Sequence, residues 1–441
     1  MSINSIHAAK DALATNQTTA LALTEAALER AQQASEYNVF AHLAQNQALE
    51  AAKNADATPP KGALHGIPIT IKDLYNAAGM PTKAGTNATL PLEFQNPQYS
   101  AEAVARLEAA GAILLGKVNM HEIALGITGE NSTTGDVKNP LDPARQAGGS
   151  SSGGAAAVAL GVGLGSLGSD TGGSVRIPAS FCGVVGFKPT LGLIPLAGAL
   201  HLSMTCDHAG TLTRTVQDAH IMLEVLAHRN FPLRRLEHLR GVRFGVPHRW
   251  LEGRLSGSVR SSYEALLLRL RDAGAEVTDV EPAHFELANT CYTPLVRSEA
   301  AFVHREALAN NPEGFSSIVR PALEDGAQIS ATRYLQARAE RRMVQTGLEQ
   351  TFRTVDALVL PAAPMAAPLR GTQEVRLESG MRPHRNAFIE LTAPFSLVGM
   401  PALSLPFAQE SGLPVGLQIV CAKGEDSLAL ELGWWLEKAL E

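Results

Sequence analysis

In the first third of the chain, the pattern of hydrophobic and polar residues changes between the spacing of a helix and the alternation of a strand. Three early segments place apolar side chains near the spacing of an amphipathic helix: residues 18–35, 43–56 and 100–110, the last with Ser100 as its N-cap. Between the second and third segments, Ile67, Ile69 and Ile71 alternate with other residues and predict a short strand. Residues 112–116 form a second, continuously apolar strand. This succession of strands and helices predicts an α/β fold.

The second half of the chain continues the same rhythm. Residues 215–227 predict a helix capped by Thr215. Further strands are predicted at 241–247, 275–281, 356–361, 401–406 and 414–420, and further helices at 257–273, over most of 295–353, and at 426–440. Residues 364–385 have the weakest pattern and predict a mobile loop. We expect residues 1–60 to form a helical N-terminal extension and residues 61–441 to form one large α/β domain.

Composition narrows the classes of protein. The chain has 441 residues, of which 45% are hydrophobic, so it can bury a large core. Its net charge is −6 and no basic block occurs, so the sequence lacks the cluster of positive charges that nucleic-acid-binding proteins carry. Four widely spaced cysteines without a CxxC pair predict free thiols in a reducing compartment. The first residues lack the pattern of a signal peptide, and we expect a cytoplasmic location.

One stretch, residues 148–176, consists mostly of glycine, serine and alanine, and no charge lies between Arg145 and Asp170. Its length would allow a membrane span, but leucine and valine are too sparse for an apolar helix in lipid, so we expect no membrane contact. The pattern instead predicts a buried loop, a helix at about 152–160, a strand near 164–168 and a second loop. Small residues bring hydroxyls and bare amides close together, as acyl transfer requires.

Three other known motifs match the residue types of this chain wholly or in part, but not the structural context that each motif requires. Residues 163–168 fit GxGxxG, but the predicted helix precedes the strand, which reverses the order of a dinucleotide site. Residues 149–153 fit GxSxG, but no buried strand runs into them as a nucleophile elbow needs. His121-Glu122 does not continue as HExxH, and no Cys/His cluster has zinc spacing. We therefore expect no metal ion.

Lys72 lies at the predicted end of the strand that contains Ile67, Ile69 and Ile71. Spacing alone favours a strand-end lysine that reaches water. The alternative is a desolvated lysine whose lowered pKa lets it act as a neutral base. Ser174 would need such a base, because the sequence near it offers no histidine.

Residues 170–176, DTGGSVR, predict a tight loop before a helix. Successive backbone N–H groups in such a loop can converge on one oxygen, because two glycines leave no side chain in the way. Asp170 and Arg176 are predicted to form a buried ion pair that braces the loop. A role of this pair in binding substrate is the alternative.

Together these segments resemble the amidase signature family. The matching motifs are HGIPITIKD (65–73), GKVNMHEIALG (116–126), NPLDPARQAGGSSSGGAAAVA (139–159), LGSDTGGSVRIPASFCGVVGFKPT (167–190) and DHAGTLTRTVQDA (207–219). No other family known to us combines this lysine, SSSGG and DTGGS with 24 residues from Ser150 to Ser174. After residue 220 the resemblance thins to pieces such as residues 394–406.

The resemblance implies a fold and a mechanism. The family fold is a mixed central sheet of about eleven strands covered by helices on both faces. By motif position, Lys72 is the base, Ser150 the bridging serine after a cis peptide bond, and Ser174 the nucleophile of a Ser–cis-Ser–Lys triad. No cofactor is required. The N–H groups implied to hold the oxyanion are those of Thr171, Gly172, Gly173 and Ser174. Ala124 is implied to line the acyl pocket, with helix packing as its alternative role.

The substrate is less defined than the chemistry. In malonamidase-like members, an arginine three residues after the nucleophile binds the substrate carboxylate, and this chain has Ile177 there. We therefore hypothesise an amidase that acts alone on small, fairly apolar amides, and also on esters or carbamates. The resemblance favours the arylacetamide and indoleacetamide type or the urethanase and aryl acylamidase type. The second hypothesis is the glutaminase subunit of a tRNA-dependent amidotransferase complex. A catalytically silent structural partner is the third, against which the intact triad argues. The N-terminal helices leave a homodimer open.

Overall fold

The structure, a computed structural model, describes residues 3–440. The strands are Phe40–Leu43 (β1), Pro68–Lys72 (β2), Ile113–Val118 (β3), Lys138–Asn139 (β4), Asp142–Gln146 (β5), Gly165–Asp170 (β6), Val185–Lys188 (β7), His208–Thr213 (β8), Arg243–Val246 (β9), Glu276–Asp279 (β10), Ala357–Pro361 (β11), Glu374–Leu377 (β12), Gly380–Pro383 (β13), Ala402–Glu410 (β14) and Leu413–Cys421 (β15).

The α-helices are Ile6–Ala14 (α1), Ala20–Gln33 (α2), Gln45–Asp56 (α3), Leu92–Gln95 (α4), Glu102–Ala109 (α5), Ser152–Ala159 (α6), Arg176–Cys182 (α7), Val216–Ala227 (α8), His248–Leu251 (α9), Gly257–Asp272 (α10), Leu287–Val303 (α11), Arg305–Asn310 (α12), Val319–Ala327 (α13), Ala331–Thr351 (α14), His384–Leu397 (α15) and Asp426–Leu440 (α16). Short 3-10 turns occur at Ser35–Tyr37, Glu122–Ala124 and Pro312–Gly314.

Eleven of the strands form one mixed sheet in the order β1-β3-β2-β6-β8-β7-β14-β15-β11-β9-β10. The pairs β3–β2, β2–β6, β11–β9 and β9–β10 are parallel, and the other pairs are antiparallel. This confirms the single large α/β domain and its mixed sheet. Strands β2 and β6 are neighbours, so their carboxyl ends bring Lys72 and Asp170 to the same edge.

Apolar side chains are buried on both sides of this sheet. Ala209 and Leu212 lie three residues apart on β8 and therefore face opposite ways. Ala209 belongs to the large buried cluster that includes Ile6 and Met222, whereas Leu212 packs in a smaller cluster with the alanines of α6. Helix α6 approaches its neighbours closely, since a Cβ at Gly153 would lie 2.5 Å from the carbonyl oxygen of Asn119. The small residues of α6 therefore allow this helix to pack directly against the backbone of neighbouring segments.

Three local features differ from the sequence predictions. Strand β1 was not predicted; it lies within residues 1–60 and pairs antiparallel with β3 at the edge of the main sheet. Ser100 does not cap α5: the cap residue is Ala101, and the Ser100 hydroxyl accepts a hydrogen bond from the N–H of Ala78 at 3.1 Å. The predicted loop at 364–385 contains an antiparallel hairpin, β12–β13. The domain boundary at residue 60 stays a prediction.

Candidate active site

Lys72 is the last residue of β2, and its side chain is completely buried. Its Nζ donates hydrogen bonds to three serine hydroxyls: Ser150 at 2.7 Å, Ser169 at 2.9 Å and Ser151 at 3.0 Å. Burial lowers the pKa of the ammonium group to about 7, although nearby carboxylates oppose this shift. The interpretation of Lys72 as a strand-end residue that reaches water is wrong. At neutral pH, part of the protein carries a neutral lysine that can accept a proton from a serine.

Ser150 is fully buried and follows a Gly149–Ser150 peptide bond that is cis, as the resemblance implies. Its carbonyl oxygen accepts a hydrogen bond from the N–H of His121 at 3.2 Å. The next residue ties the two serine loops together, because the N–H of Ser151 donates to the carbonyl oxygen of Ser174 at 3.1 Å. Ser151 was not predicted as a site residue, although it lies inside the serine run.

Ser174 lies in the loop between β6 and α7, with 5% of its surface exposed. Its Oγ makes no hydrogen bond to any of residues 3–440, whereas Ser150 Oγ already contacts Lys72. The structure therefore contains the Lys72–Ser150 link of the implied triad and leaves the Ser174 hydroxyl without a partner in this part of the chain. A hydrogen bond between Ser174 and Ser150, the second link of the triad, would require rotation of the Ser174 side chain.

The backbone amides of the loop are not equally available. Gly173 N–H donates to Oδ1 of Asp170 at 2.8 Å, so this implied oxyanion donor already has a partner. The N–H groups of Thr171, Gly172 and Ser174 have no hydrogen-bond partner within residues 3–440. Of the implied set, Gly173 thus holds the loop to Asp170, and the contact of the other three N–H groups with an oxyanion stays a prediction.

Asp170 and Arg176 form the buried ion pair that was predicted to brace the loop. The Arg176 guanidinium donates to both Asp170 oxygens, at 2.9 and 3.1 Å, and neither side chain is exposed. It also donates to Thr392 O, Gln418 Oε1 and Ser396 Oγ, at 3.0, 3.0 and 2.7 Å. Arg176 holds the pKa of the Asp170 carboxyl well below its usual range, against the effect of burial. The hydrogen bonds of this pair therefore serve the structure of the loop.

Residues far along the chain support the loop from outside. Thr392 Oγ1 donates to the Gly172 carbonyl at 2.6 Å, and Thr171 Oγ1 donates to Asp207 Oδ1 at 2.6 Å. A Cβ at Gly172 would lie 2.1 Å from the hydroxyl oxygen of Tyr292, so any other residue there requires the loop or Tyr292 to shift. Sequence reasoning did not assign Thr392, Asp207 or Tyr292 to the site. Asp207 begins the matching motif at 207–219, but a motif does not show contact with a loop 36 residues away.

Ala124 and His121 lie beside the serines. Ala124 ends a 3-10 turn in the left-handed region, at φ 63°, and borders a small cavity that Ser169 and Thr171 also line. It therefore does not pack within an α-helix, and its contact with an acyl group stays a prediction. His121 lies with Nδ1 3.3 Å from Thr128 Oγ1. Burial, and next the charge of Lys72, lower the pKa of its imidazole to about 4, so it is neutral at physiological pH.

The described chain contains neither a metal-binding cluster nor a helix suited to a membrane. No group of three or more His, Cys, Asp or Glu residues within 3–440 could hold a metal ion. Among the helices of these residues, none is long and apolar enough to cross a membrane.

Similarity to known proteins extends over nearly the whole chain. The model of the Amidase family matches residues 22–430. The chain is 34% identical to the A subunit of glutamyl-tRNA(Gln) amidotransferase from Koribacter versatilis, over 100% of this chain and 99% of that protein. It is 52% identical to a solved crystal structure of an amidase, with a TM-score of 0.96 over 99% of this chain and 100% of the other. A structure from a study of the origins of an s-triazine catabolic enzyme is 30% identical, with a TM-score of 0.91 and coverages of 99% and 100%.

Proposed function

The chain belongs to the amidase family of C–N hydrolases, and we propose that it cleaves a small amide through an acyl-enzyme on Ser174. One contact carries this proposal: Lys72 Nζ lies 2.7 Å from Ser150 Oγ, in a buried environment that lowers the lysine pKa to about 7. The buried Lys72 can act as a base toward Ser150. The Ser174 hydroxyl has no partner within residues 3–440, so it is free to act as the nucleophile that this base activates.

The proposed steps follow from the three side chains. Neutral Lys72 accepts the proton of Ser150, and Ser150 accepts the proton of Ser174 as Ser174 Oγ attacks the amide carbonyl. The N–H groups of Thr171, Gly172 and Ser174 stabilise the oxyanion. Ser150 then returns a proton to the leaving amine, the C–N bond breaks, and an ester of Ser174 remains. Water, activated by the same relay, hydrolyses this ester and frees Ser174.

At the substrate level, we propose an amidase that acts without a partner protein on small amides, with esters and carbamates as further substrates. The solved amidase structure, at 52% identity, supports amide hydrolysis, and its name specifies neither a substrate nor a partner. A second candidate is the glutaminase subunit of a tRNA-dependent amidotransferase, which the curated amidotransferase relative favours at 34% identity over the whole chain. The cytoplasmic location and a homodimer stay predictions.

A hydrolysis panel on the purified protein separates these candidates. We would assay anilides, arylacetamides, carbamates, nitrophenyl esters and free glutamine with the wild type, with Ser174→Ala, and with Ser261→Ala as a control at an exposed position. Turnover that Ser174→Ala abolishes and Ser261→Ala retains is the expected result. Turnover that survives in Ser174→Ala would show that the nucleophile lies elsewhere. Glutamine hydrolysis that appears only after the other amidotransferase subunits are added would favour the second candidate.

A further inference from the structure

Arg385 lies on the helix that supports the catalytic loop. It is in the first turn of α15, the helix whose Thr392 contacts Gly172 and whose Ser396 contacts Asp170 at 2.8 Å. Arg385 and Thr392 are seven residues apart, which is two helical turns and therefore the same face. The arginine thus belongs to the row of side chains turned toward the loop, about 10 Å from Thr392 along the helix axis.

This guanidinium has no partner in the described chain. Within residues 3–440, Arg385 forms no hydrogen bond, ion pair or ring contact, although its side chain is partly buried. Its neighbour Arg382 differs, since it pairs with Glu390 at 2.8 Å. Burial lowers the pKa of Arg385, and repulsion by Arg297, a cation held by Asp325 at 3.0 Å, lowers it further. A partly buried, unpaired guanidinium costs stability, which a bound anion would restore.

Two residues that flank the serines feel the charge of Arg385. Burial raises the pKa of the Tyr292 phenol, and the charge of Arg385 opposes this rise; burial lowers the pKa of His121, and Arg385 adds a smaller effect in the same direction. The Tyr292 hydroxyl lies against Gly172 of the loop and makes no hydrogen bond within residues 3–440. Geometry relates both unused donors to Gly172: the Tyr292 hydroxyl lies against it, and Arg385 lies two turns along α15 from Thr392, which contacts it. Donors that converge on a pocket fix the orientation of a ligand in it.

We propose that Arg385, with the Tyr292 hydroxyl as a second donor, binds a carboxylate of the substrate. This rests on the proposed amide hydrolysis and names its substrate class: monoamides of short dicarboxylic acids. It replaces the expectation of a fairly apolar substrate. That expectation rested on Ile177, which lacks a charge at the position three residues after the nucleophile. In this proposal the cation is supplied from α15, a different element of the fold.

The test uses two probes that differ only in charge: glutaramate and its uncharged isostere, glutaramide. The ratio of kcat/KM for glutaramate to that for glutaramide is measured by ammonia release. We expect Arg385→Ala to lower this ratio about 10- to 100-fold, because a hydrogen bond to a charged group is worth about 1.5–3 kcal/mol. Arg385→Lys keeps the charge without the planar fork and should retain part of the ratio.

The control is Arg376→Ala, which removes an exposed arginine of β12 that has no ion pair within residues 3–440. An unchanged ratio in Arg385→Ala, or an equal fall in Arg376→Ala, overturns the inference.

A binding experiment keeps this test independent of turnover. Glutaramate is titrated calorimetrically into Ser174→Ala and into Ser174→Ala with Arg385→Ala. The inference expects binding to the first protein and an affinity for the second that is about 10- to 100-fold weaker. Equal affinities, or no binding to Ser174→Ala, overturn it. Binding that depends on Arg385, in a protein whose wild type hydrolyses neither probe, supports the carboxylate site and refutes the proposed hydrolysis.

Discussion

Acid should inactivate this enzyme through one lysine. In the proposed mechanism the buried Lys72 must be neutral to accept the proton of Ser150, and burial brings its pKa to about 7. We therefore expect kcat/KM to reach a plateau above pH 7 and to fall about tenfold per pH unit below it. A substitution should move the midpoint of this decrease in kcat/KM. Because the Asp207 carboxylate raises the Lys72 pKa, Asp207→Asn should shift the decrease toward lower pH.

The magnitude follows from the burial of the ammonium group. A fall from the ordinary value of 10.5 to about 7 corresponds to about 5 kcal/mol against the protonated form. About one tenth of the molecules would carry a neutral lysine at pH 6, and about one hundredth at pH 5. An ordinary surface lysine would be almost entirely protonated at all these values, and no plateau near neutrality would appear.

The assay is the pH dependence of kcat/KM between about pH 5 and 9 on a substrate without titratable groups, such as glutaramide. Glu252→Gln removes an exposed carboxylate and serves as the control for a change of charge alone. Lys188 also has a pKa of about 7, but its Nζ bonds to the Met400 carbonyl and to none of the serines within residues 3–440. A flat profile, or a midpoint that moves upward in Asp207→Asn, would refute the assignment of Lys72 as the base.

Two other substitutions test the support of the loop. Gly172→Ala places a methyl group 2.1 Å from the Tyr292 hydroxyl, so we expect kcat to fall at least about tenfold, whereas Gly257→Ala, with open space around it, should leave kcat within about twofold. Equal kcat values would show that the loop tolerates displacement. Arg176→Ala leaves the Asp170 carboxylate buried without its partner and should cost about 3–5 kcal/mol in a urea titration. Arg249→Ala breaks only an exposed pair and should cost about 1 kcal/mol or less; similar losses in both variants would contradict the bracing role.

Features encoded over a few neighbouring residues were predictable from the sequence. The alternation of Ile67, Ile69 and Ile71 located β2, and the Thr215 hydroxyl does cap α8 by accepting from the N–H of Asp218 at 3.1 Å. Strand β1 escaped prediction because its four residues are only partly buried or exposed, so no apolar alternation marks it. Ser100 looked like a cap because a serine precedes a helix there, but a contact with Ala78, 22 residues away, uses its hydroxyl.

The residues proposed for catalysis and substrate binding differ in the same respect. Lys72, Ser150 and Ser174 lie in motifs whose residue types reveal their chemistry, although spacing alone put Lys72 in water. Tyr292 and Arg385 lie on helices whose sequence is ordinary, and only the packing of α11 and α15 against the loop gives them a role. The hydrogen bond of Gly173 with Asp170 was hidden for another reason: a loop sequence does not say which amide is already in use.

The order of the strands also governs when the enzyme matures during synthesis. Strands β14 and β15 come from the end of the chain, yet they fill the middle of the sheet, between β7 and β11. The ribosome releases the loop around Asp170 more than 200 residues before Gln418, one of the partners of Arg176, exists. A nascent chain therefore carries two unfinished sheet edges and an incompletely satisfied guanidinium until residues 402–421 emerge. We expect translation that stops before this point to release a product that aggregates through these unpaired edges and lacks the completed sheet.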